Sequence, residues 1–186
     1  MGITSFIRRK LKQKKKVLYV SKKKQLLELD FELDKLSLFG LDTEFDWRST
    51  YFPILSMVQI STFDKIFLVD CLQTNPNEIL KKHLENKEIL KIFHSARSDA
   101  TVLSNCVNAQ TSNVFDIQVA EKLISNSQIE AYGKIVDKYY GIKLQKSETN
   151  SNWLRRPLSE NQIRYAKEDV NYLIEIYKLQ RKILKK

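Results

Sequence analysis

Leu41-Asp42-Thr43-Glu44-Phe45 decides how this chain is read. Leu41, Thr43 and Phe45 alternate with two carboxylates, the period of a β-strand, so Asp42 and Glu44 emerge from one face. Held that close, they repel strongly unless a cation sits between them. Oxygen ligands of this kind suit hard divalent ions such as Mg²⁺ or Mn²⁺. Strand ends often carry solvated acids, so the pattern is weak by itself and the surrounding sequence has to decide.

Upstream, residues 17–20 read as a short strand, and Ser21 is placed to cap a helix reaching about residue 36. Downstream, β-like runs at 38–45, 54–61 and 66–70 are separated by Pro53 and by the break Thr62-Phe63-Asp64-Lys65, which predicts an antiparallel meander. The pattern then alternates: helix 77–85, strand 89–93, helix 98–105, strand 114–115, a helix ending near Ser125, and a helix 129–140 stopped by Gly141. Strands in hairpins followed by β/α alternation indicate an α/β fold, a mixed central sheet flanked by helices. At the C-terminal end Ser159 and Gln162 have the spacing of a capping box. Ile163, Ala166, Val170, Leu173, Ile174 and Tyr177 then recur at helical spacing, predicting one helix that runs almost to Lys186.

Three further residues bear on chemistry. Tyr165 and Asp169 stand four apart on the terminal helix, so they share a surface at the border of its apolar stripe. Asp99 opens the helix after His94-Ser95-Ala96-Arg97-Ser98, where a carboxylate also complements the helix dipole. His94, ending an apolar strand, reads as a structural histidine. His83, among Lys81, Lys82 and Glu85, is expected to be exposed.

Composition bounds the rest. A chain of 186 residues, 42% hydrophobic, buries one sizeable core. Cys71 and Cys106 lie far apart without metal-ligand spacing, which fits a reducing, cytoplasmic setting. No run approaches the roughly 18 to 20 apolar residues of a membrane span, and no secretory leader is legible. Of the 32 Lys and Arg residues, ten fall in residues 1–24, which hold no acid; the 22 that remain equal the 22 Asp and Glu. We therefore expect a flexible basic arm over residues 1–16, including Lys14, Lys15 and Lys16, on one folded domain over 17–186 that is formally neutral from residue 25 onward. Such an arm attracts polyphosphate through counterion release. A solvated tail and an organellar transit peptide are the competing readings.

Taken together, the pieces resemble the exonuclease domain of ribonuclease D, in the tyrosine-bearing branch of the DEDD superfamily. Leu41 to Phe45 followed by Tyr51-Phe52-Pro53-Ile54-Leu55-Ser56-Met57-Val58-Gln59-Ile60 resembles its first motif. Lys91-Ile92-Phe93-His94 with Asp99 resembles the second. Gly141 to Ser147, Trp153-Leu154-Arg155-Arg156-Pro157-Leu158 and Tyr165-Ala166-Lys167-Glu168-Asp169-Val170 resemble the third region.

The resemblance implies an RNase H-like 3′–5′ exonuclease fold and two divalent cations, Mg²⁺ or Mn²⁺, held by Asp42, Glu44, Asp99 and Asp169, with Tyr165 orienting the attacking water. It further implies hydrolysis of single-stranded 3′ ends of RNA to nucleoside 5′-monophosphates, as in trimming of tRNA precursors, with no organic cofactor and no membrane. Asp116 is expected to support the site or cap a helix. Tyr51, Phe52 and Gln59 are candidates for contacts to terminal nucleotides, and Arg155 and Arg156 for phosphate or for acids near the terminal helix. Two positions depart from the pattern: Gln145, and Asn152 before Trp153, where Asp is usual. Exonucleases acting on very short RNA or on DNA ends, and a non-catalytic RNA-binding module, are the alternatives.

Overall fold

The computed structural model describes residues 14–126, 128–145 and 147–185. Six strands, β1 (Lys16–Val20), β2 (Leu38–Asp46), β3 (Ile54–Ser61), β4 (Lys65–Asp70), β5 (Leu90–Phe93) and β6 (Val114–Asp116), form one sheet in the order β1-β4-β3-β2-β5-β6. Strand β3 runs antiparallel to β2 and β4; all other pairings are parallel. This is the expected mixed α/β sheet. The helices are α1 (Lys23–Leu33), α2 (Asn77–Glu85), α3 (Arg97–Val107), α4 (Ile117–Ser125), α5 (Tyr132–Tyr140), α6 (Glu160–Asn171) and α7 (Leu173–Leu184).

Side-chain alternation along the strands sorts the core into two layers. Leu41, Val58, Ile60, Phe67 and Val69 pack with α1, α2 and α3 on one face. Met57, Ile66, Leu68 and Ile92 pack with α4 to α7 on the other. At Gly40, on the second face, a Cβ atom would lie 2.5 Å from Ser61 Oγ and 3.0 Å from Leu173 Cβ, so a side chain here would collide with β3 and press on α7. Among the described residues no helix is long and apolar enough to cross a membrane.

Several local expectations need correction. The terminal helix is two helices, broken at Tyr172. The Tyr132 hydroxyl enters the ladder there, accepting from the Tyr172 N–H (3.2 Å) and donating to the Glu168 carbonyl (3.3 Å), which would otherwise bond each other. Ser21 does not cap α1. The Gln25 side chain reaches back instead and accepts from the Ser21 and Lys22 N–H groups. His83 is buried rather than exposed: it lies on the face of α2 that carries Leu80 and Leu84, and its Nε2 sits 2.7 Å from Asp30 Oδ1 on α1.

The basic arm is shorter than expected at its inner end. Lys16 opens β1, and Lys15 is buried with its Nζ 3.4 Å from Glu175 on α7, so both belong to the folded body. Residues 1–13 of the proposed arm, and Lys146 of the third region, lie outside the described residues.

Candidate active site

The sheet places Asp42 and Glu44 two residues apart on β2, on the face covered by α6, and α6 presents Asp169 to the same point. Carboxylate oxygens of Asp42, Glu44 and Asp169 all lie within 4.8 Å of one another. All three residues are half-buried, lining a pocket of about 360 Å³ that Asp99, Tyr165 and Tyr132 also line. A register shift of β2 against β3 falls between Glu44 and Phe45, so a bulge sits at the site.

Asp99 arrives from the opposite layer, in the first turn of α3, and stands outside the close group of three. It is buried, and its Oδ1 accepts a 2.6 Å hydrogen bond from the hydroxyl of Thr43, the residue between Asp42 and Glu44. Thr43 therefore faces α3 while its two acidic neighbours face α6. The site is assembled around the C-terminal end of one strand, with ligand candidates from both sides of the sheet.

The electrostatics are those of crowded carboxylates. Burial, then the charges of Asp99, Asp169 and Glu44, push Asp42 well above the usual carboxylate range. Burial, with Asp169 and Asp99, pushes Glu44 up to about 9. Burial raises Asp99 to about 6 against the opposing bond from Thr43. A divalent cation would reverse this penalty, and the donor set, carboxylate oxygens converging on one point, fits a hard ion.

Tyr165 lies one turn before Asp169, its ring 6.0 Å from that of Trp153 and its hydroxyl 3.3 Å from Thr149 Oγ1. Burial, then the charge of Asp169, pushes its pKa up to about 12, so the phenol keeps its proton at neutral pH. Tyr132, which sequence reasoning missed, is buried beside Asp169 and Asp42, and their charges add to the burial that raises its phenol. Its bridge between Glu168 and Tyr172 clamps the turn that carries Asp169.

Other neighbours support the frame. Asp116 accepts backbone N–H bonds from Ser95 (3.0 Å), Ala96 (2.9 Å) and Gln118 (2.8 Å), capping α4 and holding the loop before Asp99. His94 Nε2 lies 3.0 Å from the Glu130 carbonyl, with its ring against Tyr132. Gln145, at a departure from the family pattern, accepts from Arg164 at 3.0 Å, so an uncharged amide oxygen meets the guanidinium where a carboxylate would form an ion pair.

The expected RNA contacts divide. Tyr51 and Phe52 are 88% and 60% exposed on the loop after β2. Trp47, another residue missed in the sequence, is 44% exposed there, its indole N–H fixed to the Tyr51 carbonyl. Trp47 lines a second recess that shares Glu44, Phe45 and Thr149 with the carboxylate pocket. Arg155 is exposed.

Gln59 is fully buried opposite Asp42 in the β2–β3 pair and is sealed from any nucleotide, because β3 is central in the sheet and covered on both faces. Arg156 is committed elsewhere. It clamps Asp70 at the end of β4 through Nε (2.6 Å) and Nη2 (2.9 Å) and donates to the Trp153 carbonyl (2.7 Å), so it ties the loop before α6 to the sheet instead of meeting phosphate.

A model of the 3′–5′ exonuclease family matches residues 17–185. The ribonuclease D of Xanthomonas oryzae is 39% identical over 138 residues, 74% of this chain and 38% of that protein. That of Haemophilus influenzae is 32% identical over 161 residues, 87% and 40% respectively. The chain thus spans about two fifths of the length of these relatives. Among solved structures, Escherichia coli RNase D, an exoribonuclease involved in structured RNA processing, matches with a TM-score of 0.84 at 28% identity, over 89% of this chain and 44% of that one. Trypanosoma brucei RNase D in complex with RNA U12 matches at 0.77 and 23% identity, over 88% and 61%, a likeness of fold alone. The chain therefore belongs to the 3′–5′ exonuclease family, with the fold of a ribonuclease D exonuclease domain.

Proposed function

We propose that the chain hydrolyses RNA from its 3′ end, with divalent cations, releasing nucleoside 5′-monophosphates from stable RNA such as tRNA precursors. The observation that carries this reading is the convergence of Asp42, Glu44 and Asp169 within 4.8 Å in a solvent-open pocket that Asp99 also lines. Four carboxylates offset the charge of two Mg²⁺ or Mn²⁺ ions. When bound, such ions lower the pKa of water and neutralise charge developing on a phosphodiester.

The protein's own groups do the positioning. Thr43 fixes the Asp99 carboxylate. Tyr165, protonated, donates to and orients a water beside Asp169, a task for which a phenol is better suited than proton abstraction. Tyr51, Phe52 and Trp47 offer faces on which unpaired bases stack, as readers of single strands do. Exposed Arg155, Lys14 and Lys16 supply positive charge.

The test is digestion of 5′-labelled RNA with and without EDTA, beside Asp42→Asn and Asp169→Asn. A ladder shortening from the 3′ end only with metal, absent from both folded variants, is expected. Full activity in either variant, or in EDTA, would refute the assignment.

A further inference from the structure

The C-terminal helix carries a basic face far from the carboxylates. After Glu175 every charged residue of α7 is a cation: Lys178, Arg181 and Lys182, followed by Lys185. Their spacing is i, i+3, i+4 and i+7, so they share one stripe, and all four are exposed. Among the described residues none of them forms an ion pair. One turn earlier on that stripe stands Glu175, whose charge is answered by buried Lys15. With Tyr177 the four cations line a shallow recess of about 300 Å³.

The entry to β1 extends the same surface. Lys14 and Lys16, both exposed, flank Lys15, and Lys178 Nζ sits 4.1 Å over the Phe63 ring on the β3–β4 turn. Asp64 on that turn is the exposed acid facing Lys15. Strand register puts Lys16 at the end of the sheet opposite the catalytic one: Lys16 pairs with Lys65, Ile66 with Ser61, and Ser61 with Gly40, four residues before Glu44. At about 3.3 Å per residue and about 4.8 Å per strand, this entry lies roughly 20 Å from Glu44.

We propose that the α7 stripe with Lys14 and Lys16 is a second RNA site, which grips the phosphate backbone upstream while the 3′ end occupies the carboxylate pocket. The proposal rests on the nuclease reading. Charge complementarity selects the ligand: the four cations of the α7 stripe with no acid among them, joined by Lys14 and Lys16, match a polyanion read without sequence preference. A dinucleotide cannot reach both sites, so this surface favours longer RNA.

The test replaces Lys178, Arg181, Lys182 and Lys185 together by Gln in the full chain. Binding of a fluorescent RNA of about 20 nucleotides is followed in EDTA across a KCl series, where each phosphate left without its cation reduces the log–log salt slope by about 0.7 to 0.9. The expected result is a slope smaller by about 2 to 3 and affinity at least about tenfold weaker at low salt, with dinucleotide hydrolysis unchanged. An unchanged slope, an equal loss on the dinucleotide, or weakened binding to anionic vesicles without weakened RNA binding overturns the proposal. A single Lys182→Glu variant, expected to act in the same direction, guards against misfolding of the fourfold one. Because binding is read without turnover, a protein that hydrolyses nothing but loses its salt slope would refute the nuclease reading alone.

Discussion

Replacing Asp42 by Asn should stabilise the metal-free protein while removing its hydrolytic activity. Carboxylate oxygens of Asp42, Glu44 and Asp169 lie within 4.8 Å of one another, and two like charges at that separation repel by about 3.5 kcal/mol at an effective dielectric near 20. Proton uptake relieves part of this, because Asp42 is itself raised well above the usual carboxylate range and Glu44 is pushed up to about 9. The charge on Asp169 and the burial of Asp42 remain, and allowing for solvent at the pocket mouth leaves a gain of about 2 kcal/mol for the neutral isostere. For a chain of this size that raises Tm by about 4 to 8 °C.

The pH dependence follows in sign. Both Glu44 and Asp99 bind protons more tightly folded than unfolded, so their contribution to stability is present below the unfolded values of 4.5 and 3.8. It is lost as pH rises toward about 9 for Glu44 and about 6 for Asp99. Wild type in EDTA should therefore melt lower at pH 8 than at pH 6, and Mg²⁺ should restore more at pH 8. Thermal scans of both proteins at the two pH values, with EDTA or Mg²⁺, provide the measurement. An Asp42→Asn protein that melts at or below wild type in EDTA would refute the reasoning, as would a wild type indifferent to Mg²⁺.

Two other substitutions probe the frame. Tyr132→Phe removes the hydroxyl that separates Glu168 from Tyr172; the two groups then pair and straighten the helix, or stay unpaired at a cost of about 1 to 3 kcal/mol. Either outcome changes the turn that carries Asp169, by moving it or by loosening it, so the Mg²⁺ concentration for half-maximal hydrolysis should rise several-fold, and an unchanged midpoint would show that the clamp does not position the site. Arg156→Met leaves the Asp70 carboxylate buried without its bidentate partner and should cost about 3 to 5 kcal/mol in urea denaturation. Combined with Asp70→Leu most of that loss should return; if the double variant is no more stable than the single one, the ion pair is not what holds the loop.

What was legible depended on the range over which each signal acts. Strands β2 to β4 follow from local alternation, and α2 and β3 fall at the expected residues because Pro and polar breaks delimit them. Residue type and period were enough to put Asp42 and Glu44 on one face, but Asp99 and Asp169 joined them only through the resemblance to the ribonuclease D motifs. The break at Tyr172 was invisible: its cause is a hydroxyl 40 residues away in sequence, while the local apolar pattern continues unbroken. Likewise nothing around His83 announces its burial, which depends on α1 packing across α2. Gln59 was a candidate through the resemblance, and its burial depends on helices packed over both faces of β3, which no local pattern announces.

Gly40 carries no chemistry, yet it gauges the clearance between the two halves of the site. A methyl group there would collide first with Ser61 Oγ, 2.5 Å away, and press more mildly on Leu173 Cβ at 3.0 Å, so β3 and α7 would both have to give. Because α6 ends at Asn171 and α7 begins at Leu173, pressure on the start of α7 bears on the same clamped turn that follows Asp169. The fit of the layers beside the carboxylate pocket is thus closest two residues before Asp42, at the one atom that glycine lacks.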